Sequence, residues 1–219
     1  MIDQVCDFIK NKKTDHPLCV AIDGIDASGK TKLAKEFSFP LRRTGRQIIN
    51  ISLENYLQPT SIRYKRGRES PEGYYYDSFN YPLLINDILL PLTPKGDRKI
   101  RRVNLDNVFE KKSITEVEEV EENAIVLFDG VFLMRPELIN FWDIKIFIDI
   151  TFDVAFDRVI TRDSNKFETG QQMRKLYELR YFEGQRIYFE RCHPQSIADI
   201  IVDNNNPRDP FLTIQRTVA

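Results

Sequence analysis

The chain has 219 residues, 42% of them hydrophobic, enough to bury one sizeable core, so a single domain over residues 1–219 is expected. A formal net charge of −1 provides no global field for a phosphate backbone, which disfavours a general nucleic-acid binder and favours a small-molecule partner. Cys6, Cys19 and Cys192 stand far apart with no CxxC pair, which argues against a disulfide framework or a zinc site and for a reducing, cytoplasmic setting.

The opening stretch MIDQVCDFIKNKKTD is too polar for a signal segment and reads as a helix over 2–12. No run of about 18 apolar residues follows anywhere, so no membrane segment is expected. The run LCVAID (18–23) reads as a buried strand, and the helical pattern over 30–38 follows it directly. Further strands are expected at 47–52, 124–129, 144–149 and 198–203, with helices at 79–90, 153–162 and 171–191. Such alternation predicts an α/β fold, a mostly parallel five-stranded sheet with helices on both faces, whose ligands bind beyond the carboxyl ends of the strands. Asp23, Asp129, Asp149 and Asp203 end strands at that edge. Residues 58–76, rich in Pro, Gly, Tyr and Arg, are too long for an ordinary connection and read as functional or mobile. EVEEVEE (116–122) reads as a solvated acidic face.

Between the first strand and its helix lies Gly24-Ile25-Asp26-Ala27-Ser28-Gly29-Lys30-Thr31, a match to GxxxxGK(S/T). Its glycines allow a tight turn whose N–H groups, with the helix N-terminus, face phosphate oxygens. Lys30 reaches the β and γ phosphates of a nucleoside triphosphate, Thr31 offers a hydroxyl to Mg²⁺, and Lys32 completes the loop's binding set. Two acids complete the chemistry. Asp129 ends its strand where a carboxylate holds the metal through water, and Gly130 permits a sharp exit. Glu54, after the second strand, faces the γ-phosphate, where it serves the metal side and accepts a proton from an attacking hydroxyl; a plain surface glutamate is the alternative.

These residues resemble the uridine kinase and phosphoribulokinase family of P-loop kinases, from about Leu18 to Asp203. DGIDASGKT is similar to its phosphate loop, SLENY to its Ser-x-Asp-x-Phe/Tyr stretch, and YYYDSFNYPLLINDILLPL to its acceptor region. VLFDGVFLM, WDIKIFIDITFDVAFDRVITRD and ADIIVDN follow in the family's order. The resemblance implies a three-layer P-loop NTPase fold with a helical lid, lid and acceptor insertions at about 56–78 and 158–190, and ATP and Mg²⁺ as cofactors. It implies that Glu54 replaces an Asp base and Asp129 a Glu. Arg158 and Arg162, four apart on one helix face, match lid arginines that stabilise the transferring phosphoryl group, with solvated helix arginines as the alternative. Asp77 matches an acceptor-side acid, with a helix N-cap as the alternative, and Tyr56 joins the aromatic residues available to a base. Arg63, Lys65, Arg66 and Arg68 lie in the long segment after Glu54, near the expected acceptor, and read equally as phosphate or substrate contacts or as a plain solvated loop.

The departures concern substrate. VNLDNVFEKK offers Leu105 and Asp106 but no His where uridine kinases hold the pyrimidine, and SNKFETG replaces an arginine-rich lid segment. The implied activity is transfer of the ATP γ-phosphate to a nucleoside 5′-hydroxyl. A phosphoribulokinase-like or pantothenate-kinase-like enzyme acting on a non-nucleoside alcohol, and a nucleotide-binding protein without phosphotransfer, stay open, as does a homo-oligomer.

Overall fold

The computed structural model describes residues 1–103, 114–163 and 170–215. Its helices are α1 (Ile2–Asn11), α2 (Lys30–Arg42), α3 (Thr60–Arg63), α4 (Pro71–Asp77), α5 (Tyr81–Leu84), α6 (Phe152–Asp163), α7 (Gly170–Leu176), α8 (Glu183–Cys192) and α9 (Pro194–Ile197). The strands are β1 (Leu18–Gly24), β2 (Ile48–Ser52), β3 (Lys99–Val103), β4 (Ile114–Glu119), β5 (Ile125–Asp129), β6 (Ile144–Asp149), β7 (Ile200–Asp203) and β8 (Phe211–Ile214).

All five expected strands form and lie parallel in the order β2-β5-β1-β6-β7. The sheet has six strands rather than five, because β8 adds antiparallel to β7. Its pattern, FLTI with Phe211 exposed, gives no buried run to read. EVEEVEE also hides a strand: β4 pairs antiparallel with β3, Glu118 pairs with Arg102 at 2.6 Å and Glu119 with Lys99 at 3.6 Å.

Period-two alternation divides the central strands between two cores. Val20 and Ile22 of β1 pack with Leu33 and Phe37 of α2 and Val5 and Ile9 of α1. Cys19 and Ala21 face the opposite layer, with Tyr74, Tyr75, Phe132 and Tyr188. A third, smaller cluster joins Ile25 of the phosphate loop to Ala155, Val159, Met173 and Tyr177 of the helices that follow β6.

Three helical boundaries differ from expectation. α2 runs past Pro40 to Arg42, because Leu41 is buried and the last turn is closed by Arg43 and Thr44 N–H groups. Residues 58–76 hold α3 and α4; Ser70 caps α4 by accepting from the Gly73 N–H, with Pro71 opening the first turn. The expected helix over 79–90 starts at Tyr81, capped by Asn80, and passes into a π turn at Ile85–Leu89. Among the described residues no helix is long and apolar enough to cross a membrane.

Candidate active site

β1 lies inside the sheet between β5 and β6; the chain crosses from β1 to β2 on one side and from β5 to β6 on the other, which opens a crevice at the carboxyl ends of β1 and β5. The phosphate loop fills that end. A Cβ on Gly24 would stand 2.5 Å from the Ile148 carbonyl oxygen, so β1 approaches β6 there as only glycine permits. Gly29, at φ +99°, precedes α2, and a Cβ there would lie 2.8 Å from the Asn204 amide nitrogen. Ala27 also takes a left-handed φ of +58°, a strained conformation for a residue with a Cβ.

No side chain caps α2, and no acid occupies its first turn. The opening N–H groups of the helix are therefore left for an external anion. Ser28 is fully buried, and its hydroxyl has no partner among the described residues. Lys30 Nζ donates to the Ile25 carbonyl at 2.7 Å, reaching back over the loop. Burial pulls its ammonium below the ordinary lysine value, while the carboxylates of Asp26, Asp23, Glu54 and Asp129 pull it back.

Thr31 donates its hydroxyl to Asp129 Oδ2 at 2.6 Å, and Ser52 does so at 3.4 Å. Three elements thus converge: α2 brings Thr31, β5 ends in Asp129, and β2 places Ser52 beside it in register. The donor set is oxygen only, which suits a hard cation such as Mg²⁺. Among the described residues no group of three or more His, Cys, Asp or Glu forms, so any such ion would keep several waters.

Glu54 sits in the single 3-10 turn Leu53–Tyr56 after β2. Lys30, Thr31, Glu54 and Asp129 open on one cavity of about 650 Å³. Asp26, Ala27, Gly29 and Lys32 border it from the loop, and Arg158 and Arg162 from α6. A second cavity, of about 470 Å³, shares Ala27, Gly29, Lys32 and Arg158 and adds Asn204 and Pro207.

Several expected site residues sit elsewhere or act differently. Gly24, Ile25 and Ser28 shape the loop from behind; Ile25 is buried among the helices after β6. Tyr56 is 2% exposed in the core and Asp77 lies outside the cavity lining, so neither joins the others. Lys65 and Arg66 hold Asp77 at 2.9 and 2.7 Å, and the N-cap role falls to Asn80. Gly130 does not serve a sharp turn: a Cβ there would meet Leu53 Cβ at 2.5 Å, so the glycine permits close packing. Arg158 donates to the Ala27 carbonyl at 3.2 Å and to that of Asn204, clamping the loop. Arg162 reaches the Tyr177 hydroxyl at 3.4 Å. Leu105, Asp106 and residues 164–169 lie outside the described residues, as does the Asp163 side chain.

A model of the phosphoribulokinase / uridine kinase family matches residues 19–206. The chain belongs to this family. Among its relatives, a uridine kinase from Leuconostoc citreum is 28% identical over 191 residues, 85% of this chain and 87% of that protein. Another from Lactobacillus helveticus is 26% identical, with coverage of 94% and 95%. Among solved structures, a possible uridine kinase from Bacillus stearothermophilus superposes with a TM-score of 0.71 at 23% identity, covering 91% of this chain and 96% of that one. D-glycerate 3-kinase from Cryptococcus neoformans gives 0.63 at 12%, with coverage of 98% and 99%. These structural likenesses concern the P-loop kinase fold.

Sequence reasoning missed three supports of this kinase-family site. Ser52 could have been found from its register opposite Asp129. Asn204 donates to the Ser28 carbonyl at 2.7 Å across 176 positions, and only its place after β7 signals it. Asp23, taken as an edge acid, is fully buried, accepting from Tyr188 Oη and the Met134 N–H.

Desolvation pushes Asp23 up to about 6, against the opposing bonds from Tyr188, Gly24 and Met134. Between its ordinary value and about 6 the folded chain holds a proton that the unfolded chain has released, so Asp23's contribution to stability declines as pH rises through that window. Over the whole span the loss is on the order of 2–3 kcal/mol. Tyr188→Phe removes a donor to the carboxylate and raises the upper end of the window. Its destabilisation is therefore expected to be larger at pH 8 than at pH 4, roughly 1–3 kcal/mol at the upper end. Thermal melts of both proteins across that range check this; an equal loss at every pH would contradict it.

Proposed function

We propose that the protein is an ATP- and Mg²⁺-dependent kinase that transfers the γ-phosphate to the 5′-hydroxyl of a nucleoside-type acceptor in a reducing, cytoplasmic setting. The observation carrying this reading is the Thr31–Asp129 bond at 2.6 Å beside Lys30, with Glu54 on the same cavity. In this reading the loop N–H groups and Lys30 hold the β and γ phosphates, and the second cavity takes the donor's base and ribose. Thr31, Asp129 and Ser52 would hold Mg²⁺, which neutralises phosphate charge when bound. Glu54 accepts the proton from the attacking hydroxyl, and Tyr64, Tyr74 and Tyr181 border the acceptor space as aromatic surfaces. Lys30, Arg158 and Arg162 supply positive charge around the transferring group. The curated uridine kinases at 26–28% identity support the nucleoside assignment.

A panel of nucleosides and other small alcohols, read by ADP release, tests this function. ATP binding without ADP release for any acceptor would favour a binding protein that does not transfer phosphate. Arg162→Ala should lower kcat more than it raises KM, because contacts to the phosphoryl oxygens strengthen in the transition state. Arg158→Ala should also raise KM for ATP, since this side chain clamps the Ala27 carbonyl. Steady-state kinetics separates the two, and a pure KM effect at Arg162 would contradict its role.

A further inference from the structure

Beside the phosphate loop the cavity is also walled by Arg63, Tyr64, Tyr74, Arg180 and Tyr181. Arg180 sits in a π turn, Tyr177–Phe182, between α7 and α8, a local irregularity of a kind frequent at functional sites. It is 1% exposed. Its two terminal nitrogens donate to the carbonyls of Ser70 and Arg63, each at 2.9 Å, and of Gly67 at 3.5 Å. The guanidinium lies 4.6 Å from the Tyr64 ring centroid and 5.7 Å from that of Tyr74. Each of these partners is formally neutral. The Nε atoms of Arg180 and of Arg63 are buried with no partner among the described residues.

Among the described residues, no carboxylate lies within ion-pair distance of either arginine. The acids nearby in sequence are engaged: Asp77 by Lys65 and Arg66, and Glu69 by Lys175 at 2.8 Å. Four carboxylates act on Lys30, and one of them, Asp26, accepts from the Tyr74 hydroxyl of this wall at 3.2 Å. Burying a cation without a counter-charge is unfavourable, and the buried Arg180 has the half-buried Arg63 as a neighbouring like charge. An anion from outside would complete the wall.

We infer that the phosphate acceptor is itself anionic: a hydroxylated small molecule whose carboxylate or phosphate group is seated against Arg180 and Arg63. This rests on the phosphotransfer part of the kinase reading and departs from a neutral nucleoside such as uridine as the acceptor. A neutral alcohol leaves both guanidiniums without a counter-charge, so the wall selects by what it would leave unsatisfied. Arg180 is thereby a specificity-determining residue, and its bonds to the 63–70 backbone set the shape of the anion seat.

Matched acceptor pairs test it: uridine against orotidine, glycerol against D-glycerate, and ribose against ribose 5-phosphate, each with Mg·ATP and ADP release as the readout. Binding of a non-hydrolysable ATP analogue is measured first by calorimetry. In at least one pair the anionic member is expected to show a kcat/KM about tenfold higher or more, with a KM that rises with salt. Arg180→Gln should raise KM for that member about tenfold or more, and by clearly more than it raises KM for the neutral partner, with Arg180→Lys recovering part of the loss. Because Arg180 also holds a loop, Arg63→Gln is the second variant; it keeps the backbone carbonyls and should narrow the same preference. Equal or better use of the neutral members overturns the inference, as does turnover of no acceptor while the analogue binds. So does a rise in KM for ATP instead of the acceptor, or an equal loss on both members in both variants. Failure of the analogue to bind removes the kinase reading, and this inference with it.

Discussion

Glu54→Gln is expected to bind ATP and acceptor with affinities close to those of the parent and to lose about 10²–10⁴-fold in kcat. The amide keeps the size of the carboxylate but cannot accept the hydroxyl proton. The site around it is rigid: the 3-10 turn Leu53–Tyr56 follows directly on β2, and Leu53 and Tyr56, on either side, are each 2% exposed. A glutamate reaches one methylene further than an aspartate, so Glu54→Asp should fall between parent and amide, because misplacement by ~1 Å costs on the order of a hundredfold. Single-turnover ADP release with calorimetric binding separates the outcomes. Full activity of the amide would remove the base. A rise in KM alone would make Glu54 an acceptor ligand, and recovery at high Mg²⁺ would make it a metal ligand.

The parts of this site legible in sequence are those whose signal is local. The loop from Gly24 to Thr31 announces itself by spacing, and the buried runs of β1, β5 and β6 by length and composition. Asp129 is legible because it ends such a run. What escaped reading depends on partners far along the chain. Asp23 and Asp129 both end apolar strands, yet Tyr188, 165 positions away, turns the first into a buried structural acid. Tyr56 and Asp77 carry suitable chemistry, but packing in the core claims one and a pair of loop cations the other. The cap of α4 at Ser70 was written locally and hidden by a composition that reads as loop. Arg180 offered no signal in sequence, since its burial follows from a π turn and from carbonyls of a separate segment.

Lys30→Ala should abolish measurable ATP binding and, with it, turnover. Removal of a single preorganised electrostatic contact typically costs 10²–10³ in rate. Here the cost is compounded by what remains. Lys30 is the cation whose charge Asp26, Asp23, Glu54 and Asp129 sustain against burial. Without it, several carboxylates face an incoming polyphosphate with no lysine between them, and repulsion replaces attraction. Lys30→Arg should fail to restore binding, because a planar fork does not occupy the position from which a compact ammonium reaches the Ile25 carbonyl at 2.7 Å. The readout is ligand-linked stabilisation. At a hundred times its dissociation constant a ligand adds about 2.7 kcal/mol to the parent, and this shift should vanish in both variants while their unliganded melts stay cooperative. A Lys30→Ala protein that kept its ATP-induced shift and its ADP release would mean that the loop's N–H groups hold the phosphates without the lysine. The carboxylates around residue 30 would then need another cation to balance them.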